Sequence, residues 1–549
     1  MSSPAAAVAA SPAWPPATHD VFNQPQPLPD FDAVTTDAAL LDGLRVFGAD
    51  AADLREVGTA AGSAANWHLG HVADTHPPVL HTHDRYGRRI DEVEFHPAWH
   101  ELMSTAVRCG LHAAPWVSQS PAPHVTRAAG FMAWYQVEAG HGCPISMTYA
   151  AVPALRADPA LAERYLPGLA STTYDFGLRP PAQKQGLIAG MAMTEKQGGS
   201  DVRANTTRAI PDGDGHRLVG HKFFCSAPMS DLFLVLAQDG DAGLSCFVVP
   251  RVLPDGARNP FAIQRLKDKL GNRSNASSEI EFAGTYAERL GEPGRGVRTI
   301  VEMVSATRLD CVLGSAALMR RALTEAGWHA ANRSAFGRTL IDQPLMRTVL
   351  TDLALEVEAA QWLGLRLAAA VDRGEDALRR IGLPMSKYYV CKRTPGQIFE
   401  AMEALGGSGY VEDSGLPRLY REAPVNSIWE GSGSINALDL LRALARSPES
   451  LEAWLAEVAP VRGVDRGTDA AIVDVLDALS TSPDELAGQA RWLAEQMALL
   501  LATSQLVQHA PDGVAEAFIA RRFARTSGTV GATRAGSDTA VLDRALPVR

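Results

Sequence analysis

Two glycine-containing segments, far apart in the sequence, carry side chains whose types and spacing suit chemistry. The first is Met193-Thr194-Glu195-Lys196-Gln197-Gly198-Gly199-Ser200-Asp201. Its glycines let the backbone approach a flat ligand, and the hydroxyls of Thr194 and Ser200 can hydrogen-bond ring heteroatoms. We interpret this segment as a cofactor cradle. The alternative is an ordinary glycine-rich turn with a capping Ser-Asp pair.

The second segment is Ser427-Ile428-Trp429-Glu430-Gly431-Ser432-Gly433, where one carboxylate stands between an aromatic residue and a glycine run. Glycines cannot shield Glu430 with side chains, so a base at this position can face a ligand. Alone, Glu430 could be a solvated loop carboxylate, since most charged residues are exposed. The presence of both segments favours a catalytic base beside a bound cofactor.

The elements that must position these segments follow from changes in periodicity. Apolar residues recur at helical spacing from about Asp37 to Thr173, and the run from Ala128 to Tyr149 is the most helix-like. Between about Gly190 and Tyr286, short β-branched and aromatic runs separated by Asp-Gly turns predict a small antiparallel β domain. The helical period returns after Gly296 and predicts a bundle that continues to about Ala445, followed by further helices after Ser447-Pro448.

Composition sets limits on the class of protein. The chain has 549 residues, of which 46% are hydrophobic, and its net charge of -11 disfavours nucleic-acid binding except through a local basic patch. Six scattered cysteines without a CxxC pair predict a reducing, cytoplasmic setting. We expect residues 1–20 to form a disordered tail, and we expect no membrane span.

Several motifs together resemble the AidB type of the acyl-CoA dehydrogenase superfamily, the adaptive-response flavoproteins. Besides the two glycine segments, the matching motifs are Val21-Phe22-Asn23-Gln24-Pro25, Phe95-His96-Pro97-Ala98-Trp99-His100, Leu266-Lys267-Asp268-Lys269-Leu270-Gly271-Asn272-Arg273-Ser274-Asn275-Ala276, Pro417-Arg418-Leu419-Tyr420-Arg421-Glu422 and Val425-Asn426. They extend to about Arg442, and their combination is highly specific. Beyond that point the resemblance lies in layout more than in motifs.

The resemblance implies a mainly α fold with a central β domain, as in acyl-CoA dehydrogenases. The expected parts are a disordered tail (1–20), an N-terminal helical domain (21–189), a middle antiparallel β-barrel domain (190–290), a C-terminal helical bundle (291–447) and an extra C-terminal helical domain (448–549). Members of this family usually complete the cofactor site with residues of a neighbouring subunit. A homotetramer is therefore expected.

The resemblance also implies FAD as cofactor. The residues expected to bind it are Met193, Thr194, Gly199, Ser200, Phe224, Ser226, Arg333, Phe336, Gln343, Gly406, Gly407, Ile428, Gly431, Ser432 and Gly433. Of these, Arg333, Phe336 and Gln343 resemble the motif that reaches the adenine and pyrophosphate of a neighbouring subunit. For Gly406 and Gly407 the alternative is a helix end followed by a glycine turn.

The implied activity is oxidation of an acyl-CoA thioester, in which Glu430 removes the α-proton while flavin N5 takes the β-hydride. The position of a variant base, used by isovaleryl-type members, is Thr307 here, so Glu430 has no obvious competitor. Three positions depart from ordinary dehydrogenases: Glu403 replaces a glutamine, Gln343 falls one residue early, and Trp429 replaces a tyrosine. The chain length of the acyl group therefore cannot be inferred from the standard dehydrogenases.

The rival function is a DNA-binding flavoprotein of the alkylation-damage response with weak or vestigial dehydrogenase activity, and double-stranded DNA as partner through the C-terminal domain. After Ser447 there are nine arginines, no lysine and fourteen acidic residues, so this region is net negative. A local patch of Arg521, Arg522, Arg525 and Arg534, with Arg544 and Arg549 beyond, remains a candidate contact surface. Its alternative is a solvated helix end.

Five histidines, His68, His71, His76, His81 and His83, crowd one short stretch that has no counterpart in the resemblance. Imidazoles at such spacing can ligate a metal. However, Pro77-Pro78 prevents one continuous helical face and no cysteine accompanies them. We therefore favour a solvated polar loop and expect no metal.

Overall fold

The structure is a computed structural model that describes residues 18–523, 530 and 538–546. The first 17 residues of the expected disordered tail lie outside this range. The same is true of Arg525, Arg534 and Arg549 from the candidate DNA patch.

Seven helices and one hairpin form the N-terminal part of the described chain. The helices are α1 (Ala38–Phe47), α2 (Arg55–Ala61), α3 (Ala64–Thr75), α4 (Pro97–Arg108), α5 (Pro123–Tyr135), α6 (Gly142–Leu155) and α7 (Pro159–Leu169), and the hairpin is β1 (Val79–His83) with β2 (Arg89–Glu94). The prediction of an all-helical region was wrong at this hairpin. Its turn is closed by Asp84, whose carboxylate accepts the backbone N–H groups of Tyr86 and Arg88.

The predicted helical run from Ala128 to Tyr149 is two helices, α5 and α6, rather than one. The buried carboxylate of Glu138 accepts the backbone N–H groups of Gly140 and His141, at 2.7 and 2.9 Å. These groups precede α6 and lack helical partners, so Glu138 satisfies them as a side-chain cap. After the break, α6 packs against the central domain.

The central domain is a seven-stranded sheet. Its strands are β3 (Ala189–Ala192), β4 (Arg208–Asp212), β5 (Gly215–Ser226), β6 (Leu232–Gln238), β7 (Leu244–Pro250), β8 (Phe261–Leu266) and β9 (Ser277–Leu290). The pairings β6–β7, β7–β9, β9–β5, β5–β4 and β4–β6 close a ring, which confirms the expected barrel. Five of the seven strand pairings are antiparallel, as predicted. The exceptions are β3 and β4, which run parallel to β6; neither is joined to β6 by a hairpin, so the parallel direction is open to both.

Long helices form the bundle that follows the barrel. Its elements are α8 (Gly296–Asn332), a small hairpin of β10 (Ser334–Ala335) and β11 (Arg338–Thr339), α9 (Pro344–Asp372), α10 (Asp376–Ala404), α11 (Gly407–Tyr410), α12 (Leu416–Glu422) and α13 (Gly433–Arg446). Helices α8, α9 and α10 pack against one another, and α5 and α6 pack on α8. The apolar faces of both helical regions therefore join in one core.

Five further helices extend the bundle: α14 (Pro448–Val458), α15 (Arg466–Ala478), α16 (Pro483–His509), α17 (Val514–Arg522) and α18 (Thr539–Ala545). A capping box of Ser482 and Glu485 begins α16, which then packs on α9, α10 and α13. Trp454 of α14 is fully buried, and its indole N–H donates to the carbonyl of Met497. Among the described residues, none of the helices is both long and apolar enough to cross a membrane.

Candidate active site

One large cavity, of about 1300 Å³, lies where α5, α6, the barrel and the bundle meet. Its wall contains the predicted base Glu430 and nine of the predicted cofactor residues, namely Met193, Thr194, Gly199, Ser200, Phe224, Ser226, Ile428, Gly431 and Ser432. The two glycine segments, which are distant in sequence, therefore face one chamber. Its volume exceeds the roughly 300–1000 Å³ of a typical small-molecule site, so a ring system and a second ligand can share it.

A buried ion pair holds the first glycine segment against the barrel. Glu195 and Lys222 are both fully buried, and Lys222 Nζ lies 2.8 Å from Glu195 Oε1. The same carboxylate accepts the backbone N–H groups of Thr206 and Thr207. The charge of Lys222 and these hydrogen bonds outweigh burial and keep the pKa of Glu195 well below its usual range. Glu195 is therefore a structural anchor, and the neighbouring Met193 and Thr194 are left to face the cavity.

Gly198 and Gly199 have different roles in this segment. Gly198 has a φ of 155°, and its N–H and C=O both pair with the backbone of Glu195 in a tight turn. A Cβ on Gly199 would lie 2.5 Å from the hydroxyl of Thr194. The turn therefore requires a residue without a side chain at this position.

The barrel supplies a flat aromatic surface at the cavity wall. Phe224, on β5, is 49% exposed and lies between half-buried Phe223 and buried Cys225. Ser226 follows on the same strand and places a hydroxyl at the wall. The half-exposed ring of Phe224 lines the cavity together with Met193 and the hydroxyls of Thr194 and Ser226. An apolar surface with a few hydrogen-bonding groups suits the face of a planar heteroaromatic ring, so these residues fit the predicted flavin.

Glu430 occupies a strained backbone position, with a φ of 56°. Its Oε2 accepts a hydrogen bond of 2.6 Å from the hydroxyl of Thr307 on α8. Burial raises the pKa of Glu430 above its ordinary value, and the Thr307 hydrogen bond and the cations Lys387 and Arg308 oppose that rise. A carboxylate with a raised pKa at a cavity wall has the properties of a general base.

Three side chains clamp the backbone on either side of Glu430. Lys387 Nζ donates to the carbonyls of Trp429 and Gly431, each at 2.9 Å. Arg308 Nε donates to the carbonyl of Glu430 at 3.0 Å, while its guanidinium pairs with Asp439. The amide of Asn436 donates to the carbonyl of Gly431 at 2.6 Å. These bonds satisfy carbonyls that the turn leaves without backbone partners, and so they offset its strain.

Sequence reasoning did not identify Lys387 or Asn436, and it treated Thr307 only as the absence of a rival base. Lys387 and Asn436 are buried at 1% and 0% exposure. The signal that could have identified Lys387 is its position within the apolar face of a predicted helix, where a lysine is rare unless it has a partner. Trp429, which replaces the usual tyrosine, lines the cavity, and its indole N–H donates to Asn426 Oδ1 at 3.0 Å.

The remaining predicted cofactor residues are not part of this cavity wall. They are Arg333, Phe336, Gln343, Gly406, Gly407 and Gly433. Phe336 is 99% exposed with a φ of 51°, at the turn of the β10–β11 hairpin. Gly406 and Gly407 would meet no atom within 4 Å if a Cβ were added, so they border open space. Phe336, Gly406 and Gly407 are therefore exposed on the surface of the chain, Arg333 and Gln343 are half-buried, and Gly433 is buried beside Lys392.

The arginines of the candidate DNA patch that the structure describes are directed into the protein. Arg522 contacts Asp352 and Glu356 on α9, both at 2.7 Å, and Arg521 is 5% exposed. Arg544 pairs with Asp42 and Glu358. Both the surface patch and the solvated helix end were therefore wrong for these three residues. Arg521 is buried, and carboxylates of α1 and α9 pair with Arg522 and Arg544.

The histidine stretch lies on α3 and the β1–β2 hairpin. His81 Nε2 lies 2.9 Å from Glu94 across the hairpin, and the rings of His68 and His71 stack. Within the described part of the chain, no group of three or more His, Cys, Asp or Glu side chains converges in a way that could hold a metal ion.

Three stretches of the chain match known protein families. Residues 23–176 match the adaptive response protein AidB N-terminal domain, residues 190–285 the acyl-CoA dehydrogenase middle domain, and residues 294–445 the acyl-CoA dehydrogenase C-terminal domain. The Escherichia coli (strain K12) protein AidB is 47% identical over 510 residues, which cover 91% of this chain and 94% of that protein.

Two solved structures share nearly the whole fold. Caenorhabditis elegans ACDH-11 in complex with C11-CoA superposes with a TM-score of 0.82 at 26% identity, covering 98% of this chain and 93% of that one. The Bd2924 apo-form gives a TM-score of 0.82 at 30% identity, covering 89% of this chain and all (100%) of the other.

Proposed function

The chain belongs to the AidB type of the acyl-CoA dehydrogenase superfamily, and we propose that it is an FAD-dependent oxidoreductase that acts on an acyl-CoA thioester. The single observation that carries this proposal is the geometry of Glu430. Its carboxylate lies in the wall of a large chamber, on a strained and clamped turn, with a raised pKa. In this role Glu430 removes the α-proton of the acyl group.

The chain's own residues would hold the flavin between the barrel and the bundle. Met193, Thr194, Phe224 and Ser226 would contact its ring from the barrel side, and Ile428 lies on the bundle side. When bound, the flavin would supply the acceptor for the β-hydride.

The backbone of Glu430 supports a second role, polarisation of the thioester carbonyl. Within the described residues, the N–H of Glu430 donates no hydrogen bond, although neighbouring Ile428 and Trp429 both donate to Val425. An N–H group fixed in a strained turn costs little reorganisation when negative charge develops on the substrate oxygen. We therefore assign this N–H to the developing enolate oxygen.

The outward-facing cofactor residues support assembly as a homotetramer in which a neighbour completes each flavin site. Asn23, from the N-terminal segment, hydrogen-bonds both backbone groups of Ser334 and so braces the β10–β11 hairpin. Phe22 and Phe336 remain 81% and 99% exposed there. Large apolar side chains exposed together are typical of a surface that another subunit covers.

DNA binding, the alternative function, receives no support from the described arginines of the C-terminal region. Arg521 is buried, and Arg522 and Arg544 are engaged by carboxylates of the same chain. Association with DNA therefore stays a separate prediction that needs its own assay.

The deciding experiment is an anaerobic titration of the purified yellow protein with a series of acyl-CoA thioesters, followed by flavin absorbance. We expect bleaching by a subset of chain lengths. Glu430→Gln should retain flavin and lose the bleaching, whereas Glu302→Gln, which changes another carboxylate of the cavity wall, should keep it. Undiminished bleaching in Glu430→Gln would refute its role as base.

A further inference from the structure

Three polar side chains form a hydrogen-bonded chain along the barrel wall of the cavity. Lys269 Nζ donates to Ser277 Oγ at 3.0 Å, and Ser277 Oγ lies 3.3 Å from Ser226 Oγ. Ser226 and Ser277 are cross-strand partners at the ends of β5 and β9, which fixes their spacing. All three side chains line the cavity.

The chemistry of the ammonium group sets the direction of these hydrogen bonds. An ammonium can only donate, so the oxygen of Ser277 must accept from Lys269. Either hydroxyl can donate in the contact between Ser277 and Ser226. In the arrangement on which we build, Ser277 donates to Ser226 Oγ, and the hydrogen of Ser226 is then left for a ligand in the cavity. Each bond in such a chain polarises the next. Ser226 is therefore a stronger donor than an isolated serine.

The charge of Lys269 has no adjacent carboxylate to balance it. Within the described residues, no acidic oxygen lies within 4 Å of its Nζ, in contrast to Lys267, which pairs with Glu279 at 2.6 Å. Burial lowers the pKa of Lys269 to about 8, and the titratable groups near it are the thiol of Cys143 on α6 and the carboxylates of Glu422, Glu138 and Asp74. The Nζ of half-buried Lys269 donates to two neutral oxygens, the carbonyl of Asn275 and Ser277 Oγ. Neutral oxygens leave the positive charge unbalanced, so an electron-rich group in the cavity would be stabilised by it.

We propose that Lys269, acting through Ser277 and Ser226, is a tuning residue that makes the flavin easier to reduce. This inference rests on the proposed function. Reduction adds negative charge to the ring, and a polarised hydroxyl backed by a cation stabilises that charge more than it stabilises the oxidised ring. Lys269 touches neither the base nor the acyl group in this role, so it is a positioning residue and not a catalytic one.

The test is the midpoint potential of the bound flavin, measured in the flavin-loaded protein with an equilibrating redox dye. Lys269→Met should weaken the preference for reduced over oxidised flavin about tenfold, which for a two-electron couple is a shift of about -30 mV. Lys269→Arg keeps the charge and should keep most of the potential. Ser277→Ala breaks the chain but retains Lys269, and it should shift the potential in the same direction as Lys269→Met.

An unchanged potential in Lys269→Met, with flavin bound, would overturn the inference. If that variant fails to fold, Ser277→Ala decides in the same way. A purely structural role would lower the melting temperature and leave the potential unchanged. Failure of the proposed function is separable: flavin that binds but is reduced by no thioester refutes the substrate, and the dye titration still tests Lys269. Wild-type protein that binds no flavin would overturn both.

Discussion

The hydroxyl of Thr307 donates a 2.6 Å hydrogen bond to the carboxylate of Glu430, across 123 residues of sequence. This contact joins the first third of α8 to the strained turn before α13. It opposes the effect of burial on the pKa of Glu430, so it sets how basic the carboxylate is at a given pH. Thr307, which occupies the position of the variant base, therefore lowers the pKa of Glu430, the base that this chain retains.

Thr307→Val should raise the pKa of Glu430 further, because the variant removes a donor that stabilises the charged carboxylate. The rate of flavin reduction requires ionised Glu430, so it falls as pH decreases through this pKa. We expect the rising limb of the rate–pH profile to move to higher pH. Anaerobic stopped-flow measurements from pH 6 to 9 would show the shift. Thr307→Ser retains the hydroxyl and should behave as wild type; an unmoved profile in Thr307→Val would contradict the assignment.

Lys222→Met should destabilise the protein by about 3–5 kcal/mol, since it leaves the buried carboxylate of Glu195 without its cation. Because Glu195 anchors the segment that carries Met193 and Thr194, flavin retention should fall as well. Thermal melting and the ratio of flavin to protein after gel filtration would report both effects. The double variant Lys222→Met with Glu195→Gln should recover part of the loss. Equal melting temperatures for wild type and Lys222→Met would exclude this role.

Arg522→Gln should lower stability and leave any retention on DNA unchanged. The guanidinium is 10% exposed and is engaged by Asp352 and Glu356. Its removal takes one cation from these two buried carboxylates, of which Glu356 keeps Arg393, at a cost of about 3 kcal/mol. Melting curves and a salt-dependent DNA-binding assay would separate the two properties. Arg462→Gln removes an exposed arginine of the same region and is the matched control. Reduced DNA binding with an unchanged melting temperature would restore the surface-patch hypothesis.

Acid should destabilise the N-terminal helices through buried neutral histidines. Burial lowers the pKa of His112 to about 4, and its Nε2 lies 2.9 Å from the carbonyl of Ser171. Because the unfolded chain takes up the proton first, this stability is complete above the unfolded pKa and is lost as pH falls towards 4, about 3 kcal/mol in all. Urea denaturation at pH 7, 5.5 and 4.5 would measure the slope. His112→Gln cannot titrate and should flatten it, and an equal slope in both proteins would refute the assignment.

The sequence predicted the helical regions because apolar residues recur in them at the helical period, and it predicted the β domain because its apolar runs are short, β-branched and aromatic. The β1–β2 hairpin escaped prediction for the opposite reason. Val79 to His83 alternates between exposed and half-buried positions, so no apolar alternation marks it as a strand. The break between α5 and α6 was missed because Glu138 caps it from a buried site, and burial of a carboxylate is not visible in a sequence.

At the site, the two motifs that resemble the acyl-CoA dehydrogenase superfamily predicted that Glu430 and Thr194 lie beside one cofactor, and both residues line the same cavity. The side chains that hold Glu430 were harder to predict, because Lys387 reaches the carbonyl of Trp429 across 42 residues and only packing brings them together. Arg522 was misread for the same reason. Its carboxylate partner Asp352 lies 170 residues earlier, and a local count of charges cannot include it.

The cavity wall continues past the bundle into the added helices, with Ser447 and with Glu449 and Ser450 of α14 among its residues. The C-terminal extension therefore contributes residues to the cavity and is not structurally independent of the rest of the enzyme. Exchanging it between relatives would exchange part of the chamber, and removing it after Arg446 would open that side of the site to bulk water. Substitutions in α14 and substitutions in the bundle therefore alter the same cavity wall.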